Sequence, residues 1–286
     1  MIKSKLNNFR YWLMGAALAV IASCSSQNRT VTKGNAQKIY NIKYGEHPRN
    51  VMDVFLPDHY NQDTPVVFMV HGGGWIIGRK EHMWNVRNAL FKEELPVVSI
   101  NYRLVKKGVT YKDQLADIDS AVRFFKENSK KWNLNPDNLV LLGESAGAHL
   151  VLLYGYSHPQ LVKKIVSMSA PTDFYSENYF KSPYRWYTYR TFQKVVGEKY
   201  SSGNTEEFQK ASPVANVSPV PTLLFQGDKD FLVYKKQGLD LDSVLTSKGY
   251  PHELVVMKNL GHVPRLTNPK KFKSLVLPAM VKFIKE

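Results

Sequence analysis

From about residue 38 onward, short apolar runs alternate with stretches of helical periodicity. Residues 37–44 and 50–56 alternate apolar with polar side chains, which predicts two strands and an antiparallel start to a sheet. Pro65 precedes Val66-Val67-Phe68-Met69-Val70, a continuous apolar run suited to a strand buried on both faces. Residues 97–101, 139–142, 165–168, 222–225 and 253–257 predict further strands. Residues 81–94 read as a helix, and so do 111–130, where Leu115, Ile118, Val122 and Phe125 recur at helical spacing. Residues 146–156 predict another. Leu239, Leu241, Val244 and Leu245 lie on a helix that Gly249 can end. Asn268-Pro269 supplies a cap and a first-turn proline for a terminal helix. Strands alternating with helices predict an α/β architecture with a mostly parallel central sheet flanked by helices on both faces. Such sheets bind ligands at the carboxyl ends of their strands, so the residues that follow each strand matter most.

Two stretches depart from this pattern. Lys3, Lys5 and Arg10 precede an apolar run over residues 11–22, which is too short for a comfortable bilayer span. That is the layout of a secretory signal. Residues 25–36 are polar and aperiodic and read as a tether. The chain therefore divides into a leader (1–23), a flexible tether (24–37) and one large α/β domain (38–286). The second departure is an insertion at about 172–218 with little strand pattern. Phe174, Tyr175, Tyr179, Phe180, Tyr184, Trp186, Tyr187, Tyr189 and Phe192 crowd into it, beside Lys181, Arg185 and Arg190. Such rings can line an acyl or aryl pocket or simply pack the insertion.

Composition narrows the class. Hydrophobic residues make up 43% and charged residues 22% of 286, which argues against disorder. A net charge of +15 favours anionic lipids, anionic glycans or acidic substrates. Nucleic acid is not an expected partner, because no basic and aromatic binding module is visible. With Cys24 as the single cysteine, no intrachain disulfide can form.

The chemistry concentrates after the strands. Gly143-Glu144-Ser145-Ala146-Gly147 joins a strand to a helix, the context in which G-x-S-x-G raises a nucleophilic serine above a sheet edge. The turn is sharp, so small residues must flank Ser145, and the following helix directs its positive end at the site. His71-Gly72-Gly73-Gly74-Trp75 follows the strand over 66–70. Consecutive glycines let the backbone come close and aim N–H groups inwards. We assign Gly73 and Gly74 as oxyanion donors, with Gly72 a weaker candidate and the Ala146 N–H completing the set. A serine hydroxyl needs a histidine base, and the base needs an acid to fix its tautomer. After such an elbow the chain order is acid, then histidine. His71 precedes the serine and braces its loop. His149 sits within the elbow helix, while His158 and His252 lie at the wrong end of the sheet. His262, in Leu260-Gly261-His262 after the last strand, remains as the base. Asp228 and Asp230 both follow the strand over 222–225, and Asp173 is a third candidate acid. No metal or cofactor is needed for this chemistry.

Taken together, HGGGW at 71–75, NYRL at 101–104, GESAGAHL at 143–150, ASP at 211–213, GDKD at 227–230 and Gly261-His262 resemble the carboxylesterase and hormone-sensitive-lipase-like branch of the α/β-hydrolases. The similarity is greatest to bacterial feruloyl-esterase-like (BD-FAE-like) hydrolases and covers about residues 50–286. It implies the α/β-hydrolase fold and a small-molecule ester substrate, with a cap formed by the insertion. Related hydrolases show G-x-x-D at 227–230, which implies Asp230 as the acid and leaves Asp228 to shape the turn. The proline-rich stretch usual after NYRL is absent, and Val105-Lys106-Lys107-Gly108 stands there instead. Trp75-Ile76-Ile77-Gly78 also resembles methylesterases of prenylcysteine esters. Kynurenine formamidases share the HGG-x-W loop, so an aryl formamide is an alternative substrate. Ile21-Ala22-Ser23-Cys24 resembles a bacterial lipobox. That likeness implies export and lipidation of Cys24, with the chain anchored to a membrane rather than spanning it. Ser25 and Ser26 carry no aspartate retention signal, which points to the outer membrane in a Gram-negative cell.

Overall fold

The computed structural model describes residues 28–176, 185–201, 203 and 205–286. Its strands are β1 (Arg29–Lys33), β2 (Ala36–Lys43), β3 (Val51–Leu56), β4 (Val66–Val70), β5 (Val97–Ile100), β6 (Leu139–Glu144), β7 (Lys164–Met168), β8 (Thr222–Gly227) and β9 (His252–Met257). All nine join one sheet in the order β1-β2-β3-β5-β4-β6-β7-β8-β9. Pairings from β1 through β3 to β5 are antiparallel, and every later pairing is parallel. The predicted antiparallel start and parallel remainder are both present.

The hairpin of β1 and β2 corrects the tether, because residues 29–33 and 36–37 belong to the sheet rather than to a flexible linker. All five residues of β1 are exposed, and the strand is held by its ladder to β2 and by Arg29 over the Tyr40 ring. With neither face buried, no hydrophobic alternation marks it in the sequence.

The central strands divide the core by parity. Val66, Phe68 and Val70 of β4 face one layer with Leu139 and Leu141 of β6. Val67 and Met69 face the other layer with Val140 and Leu142. The first layer is closed by α2 (Tyr111–Asn128) through Ile118, Val122 and Phe125, and by α3 (Ala146–Ser157), whose residues 146–156 are all buried. The second is closed by α1 (Trp84–Lys92) and the C-terminal helix, through Val86, Leu90, Met280 and Ile284. In α2, Thr110 and Asp113 form a capping box that fixes its start.

Within the insertion, α4 (Arg185–Val196) and α5 (Glu206–Lys210) are helical, followed by α6 (Lys236–Ser247) after β8. Tyr179, Phe180, Lys181 and Tyr184 lie outside the described residues, as do the side chains of Arg185, Trp186 and Tyr187. The leader over 1–23 and Cys24 lie outside them too. Among the described residues no helix is long and apolar enough to cross a membrane.

The chain closes with a short helix, α7 (Pro264–Thr267), and then a longer helical segment capped by Asn268, whose side chain accepts from Lys271 N at 3.1 Å. That segment widens to a π turn over Phe272–Val276 before Leu277–Lys285. Pro278 has no N–H to return to the preceding turn, and the wider turn absorbs the lost bond.

Candidate active site

Ser145 lies between β6 and α3 with φ 55° and ψ −120°, a conformation that side chains rarely adopt. The surrounding sheet imposes it: Ser145 N donates to Met168 O at 2.8 Å, and its carbonyl accepts from His149 N at 3.0 Å. The flanking glycines are sterically required. A Cβ on Gly143 would lie 2.4 Å from Gly147 O, and one on Gly147 would lie 2.1 Å from Val70 O. The turn can be this tight only because the backbones of β4 and α3 nearly touch.

His262 follows β9, and its Nε2 lies 2.8 Å from Ser145 Oγ. Its Nδ1 lies 2.7 Å from Asp230 Oδ2. The Asp230 side chain is fully buried, and its other oxygen accepts from Leu232 N at 2.9 Å and Val233 N at 2.8 Å. Those two bonds clamp the carboxylate from behind, so Oδ2 alone faces the imidazole. The geometry separates the rival acids. Asp228 Oδ1 accepts from Asn259 N at 2.7 Å and joins the loops after β8 and β9. Asp173 is turned to Tyr175 N and Ser176 N, each at 2.9 Å, and burial raises its pKa.

Gly73 and Gly74 have φ of 125° and 56°. A Cβ on Gly73 would fall 2.2 Å from Ile77 O, so only glycine fits there. Among the described residues, no hydrogen-bond acceptor takes the N–H of Gly73, Gly74 or Ala146. They are free to serve an incoming oxygen. The other rim groups of the loop are engaged. His71 stacks on Tyr102 at 4.3 Å, and its Nδ1 lies 2.7 Å from Gly72 O. Burial pushes the His71 pKa down to about 3, so the ring is neutral and structural. Arg49 ties the same loop down by donating to Gly78 O at 2.8 Å and Tyr102 O at 2.7 Å.

His149 also stays neutral, its pKa pushed down to about 4 by burial. Trp75 Nε1 donates to its Nδ1 at 3.1 Å, and its Nε2 pairs with Ala211 O at 2.8 Å. One imidazole thus ties the HGGGW loop, the elbow helix and the ASP segment together. Phe174 stacks on this ring at 4.6 Å and on Phe192 at 3.8 Å. Both phenylalanines are core residues and pack the insertion onto the loop.

A buried ion pair that the sequence barely marks lies under the elbow. Arg265 Nε and Nη2 donate to the two oxygens of Glu144 at 2.7 and 2.8 Å, and Nη1 donates to Asn85 at 3.2 Å. Glu144 immediately precedes Ser145, and Arg265 lies one turn beyond His262. The fork therefore fastens the loops that carry Ser145 and His262 to each other. A lone arginine in the apolar run Val263-Pro264-Arg265-Leu266 was the only available signal. Among the described residues, no three His, Cys, Asp or Glu side chains come together as a metal site requires.

The BD-FAE family model matches residues 52–245. The isoprenylcysteine alpha-carbonyl methylesterase ICME of Arabidopsis thaliana is 27% identical over 240 residues, covering 77% of this chain and 55% of that protein. The kynurenine formamidase of Salmo salar is 31% identical over 124 residues, 42% of this chain and 40% of that enzyme. This chain thus spans about half the length, or less, of these curated relatives. Among solved structures, a truncated carbohydrate esterase from gut microbiota superposes with a TM-score of 0.76 at 19% identity, over 90% of this chain and all of that one. Esterase B of Lactobacillus rhamnosis does so with 0.74 at 17% identity, over 98% and 94%. These two likenesses establish a shared α/β-hydrolase fold.

Proposed function

From the premise that this chain belongs to the BD-FAE family, we propose that it hydrolyses carboxylic esters with Ser145, His262 and Asp230 through an acyl-enzyme. The continuous hydrogen-bonded series from Ser145 Oγ to His262 and on to Asp230 carries the proposal. Asp230 holds the proton of His262 on Nδ1, which leaves Nε2 to accept the proton of Ser145. Oγ attacks the ester carbonyl, and the oxyanion gathers the N–H groups of Gly73, Gly74 and Ala146. Each such donor is worth about 3 kcal/mol in the transition state. The carbonyl re-forms, the C–O bond to the alcohol breaks, and Nε2–H gives its proton to the departing oxygen. Water then repeats the sequence on the acyl-enzyme and releases the acid.

Hydrolysis of p-nitrophenyl acetate tests the reaction class. Ser145→Ala is expected to lower kcat by about 10⁴-fold or more. Equal rates for the two proteins contradict the proposal.

The proposed setting is outside the cytoplasm, on a lipid anchor at Cys24. Its support is the basic start, the short apolar run and the small residues before Cys24. Metabolic labelling with a radioactive fatty acid checks this: Cys24→Ser is expected to lose the label, and retention of label rules the anchor out.

A further inference from the structure

His262 forms part of the wall of a second feature, a trough of about 430 Å³ between the loops that follow β8 and β9. Phe231 and Leu232 come from the first loop, and Val263 and Leu266 from the second. Three of these apolar side chains stand well out of the protein, with Leu266 60%, Phe231 55% and Leu232 47% exposed. The loops are bridged by the bond from Lys229 N to Leu260 O at 3.1 Å, so the trough has a fixed floor. No Asp, Glu, Lys or Arg lines it. Besides His262, its polar side chains are those of Asn259, Thr267 and Asn268; Thr267 donates to Val263 O at 3.1 Å, and Asn268 accepts from Lys271 N.

We propose that this trough seats the alcohol moiety of the ester, and that the protein prefers esters of apolar alkyl or aryl alcohols. The proposal rests on the hydrolase assignment above and adds the substrate class. The direction follows from the proton's path. His262 Nε2 must hand the proton taken from Ser145 to the alkoxide oxygen as the acyl C–O bond breaks and the bonding electrons pass to that oxygen. The leaving oxygen is therefore within hydrogen-bond reach of His262 at that moment, and its carbon chain continues from there. The neighbouring wall offers four apolar side chains and no charged one. A polyol such as a sugar would lose more hydrogen bonds to water than the two asparagine amides there could replace. An alkyl or aryl group covers exposed apolar surface and gains by it.

Alkyl acetates of growing alcohol length give the test, because their parent alcohols are nearly equal in acidity and differ chiefly in apolar length. With the full chain, kcat/KM is expected to rise about two- to fourfold per added methylene from ethyl to hexyl acetate. Leu266→Asn and Phe231→Ser should each cut the hexyl-to-ethyl ratio by about fivefold or more. Both positions are exposed, and the ratio within one protein cancels any loss of folded enzyme. A flat series, or a rise that neither substitution touches, overturns the proposal. Failure of every ester together with p-nitrophenyl acetate overturns the hydrolase assignment itself, and this proposal with it.

Discussion

Asp230→Asn is expected to lower kcat for ester hydrolysis by about 10⁴-fold, while Asp228→Asn stays within about twofold of wild type. The contrast comes from the fixed orientation of the Asp230 carboxylate. Oδ1 accepts from Leu232 N and Val233 N, so an asparagine must place its carbonyl oxygen there. Its amide then faces His262 Nδ1, where Asp230 Oδ2 stood at 2.7 Å. Facing a donor, Nδ1 must present its lone pair, which moves the ring proton to Nε2. In that tautomer His262 cannot accept the proton of Ser145. Asp228 needs only a carbonyl oxygen to accept from Asn259 N, and asparagine supplies one. Steady-state kinetics of the two variants on one ester read the difference. Equal losses at the two positions contradict the assignment of Asp230.

The second large effect falls on stability. Arg265→Ala is expected to destabilise the protein by about 3–5 kcal/mol, because it leaves the Glu144 carboxylate buried without a counter-charge. The pair Glu144→Gln with Arg265→Met should recover part of that loss, since no charge is then stranded. Urea unfolding monitored by tryptophan fluorescence measures both. A loss under about 1 kcal/mol for Arg265→Ala would mean that the fork between the two loops contributes little.

Features carried by local pattern were legible in the sequence. The apolar runs of β4 and β6 announced strands covered on both faces, and G-x-S-x-G between strand and helix placed Ser145 at the sheet edge. His262 emerged by elimination, because each other histidine after the serine lay inside a helix or at the opposite end of the sheet. Features that depend on distant partners were not legible. Glu144 and Arg265 are separated by 121 positions, and neither advertises the other. The aromatic-rich insertion left two roles open by composition, and Phe174 and Phe192 take the packing one: Phe174 stacks on His149 and Phe192 on Phe174 in the core. Strand β1 escaped notice for the opposite reason, since an all-exposed strand carries no hydrophobic signature.

The central claim is that Ser145 is the nucleophile, and covalent trapping tests it most directly. A fluorophosphonate probe followed by peptide mass spectrometry is expected to add one label, on the peptide that carries Ser145. The label should be absent from Ser145→Ala and nearly absent from His262→Ala, in which no base remains to take the proton. No label on wild-type protein, or a label carried by any other residue, contradicts the account.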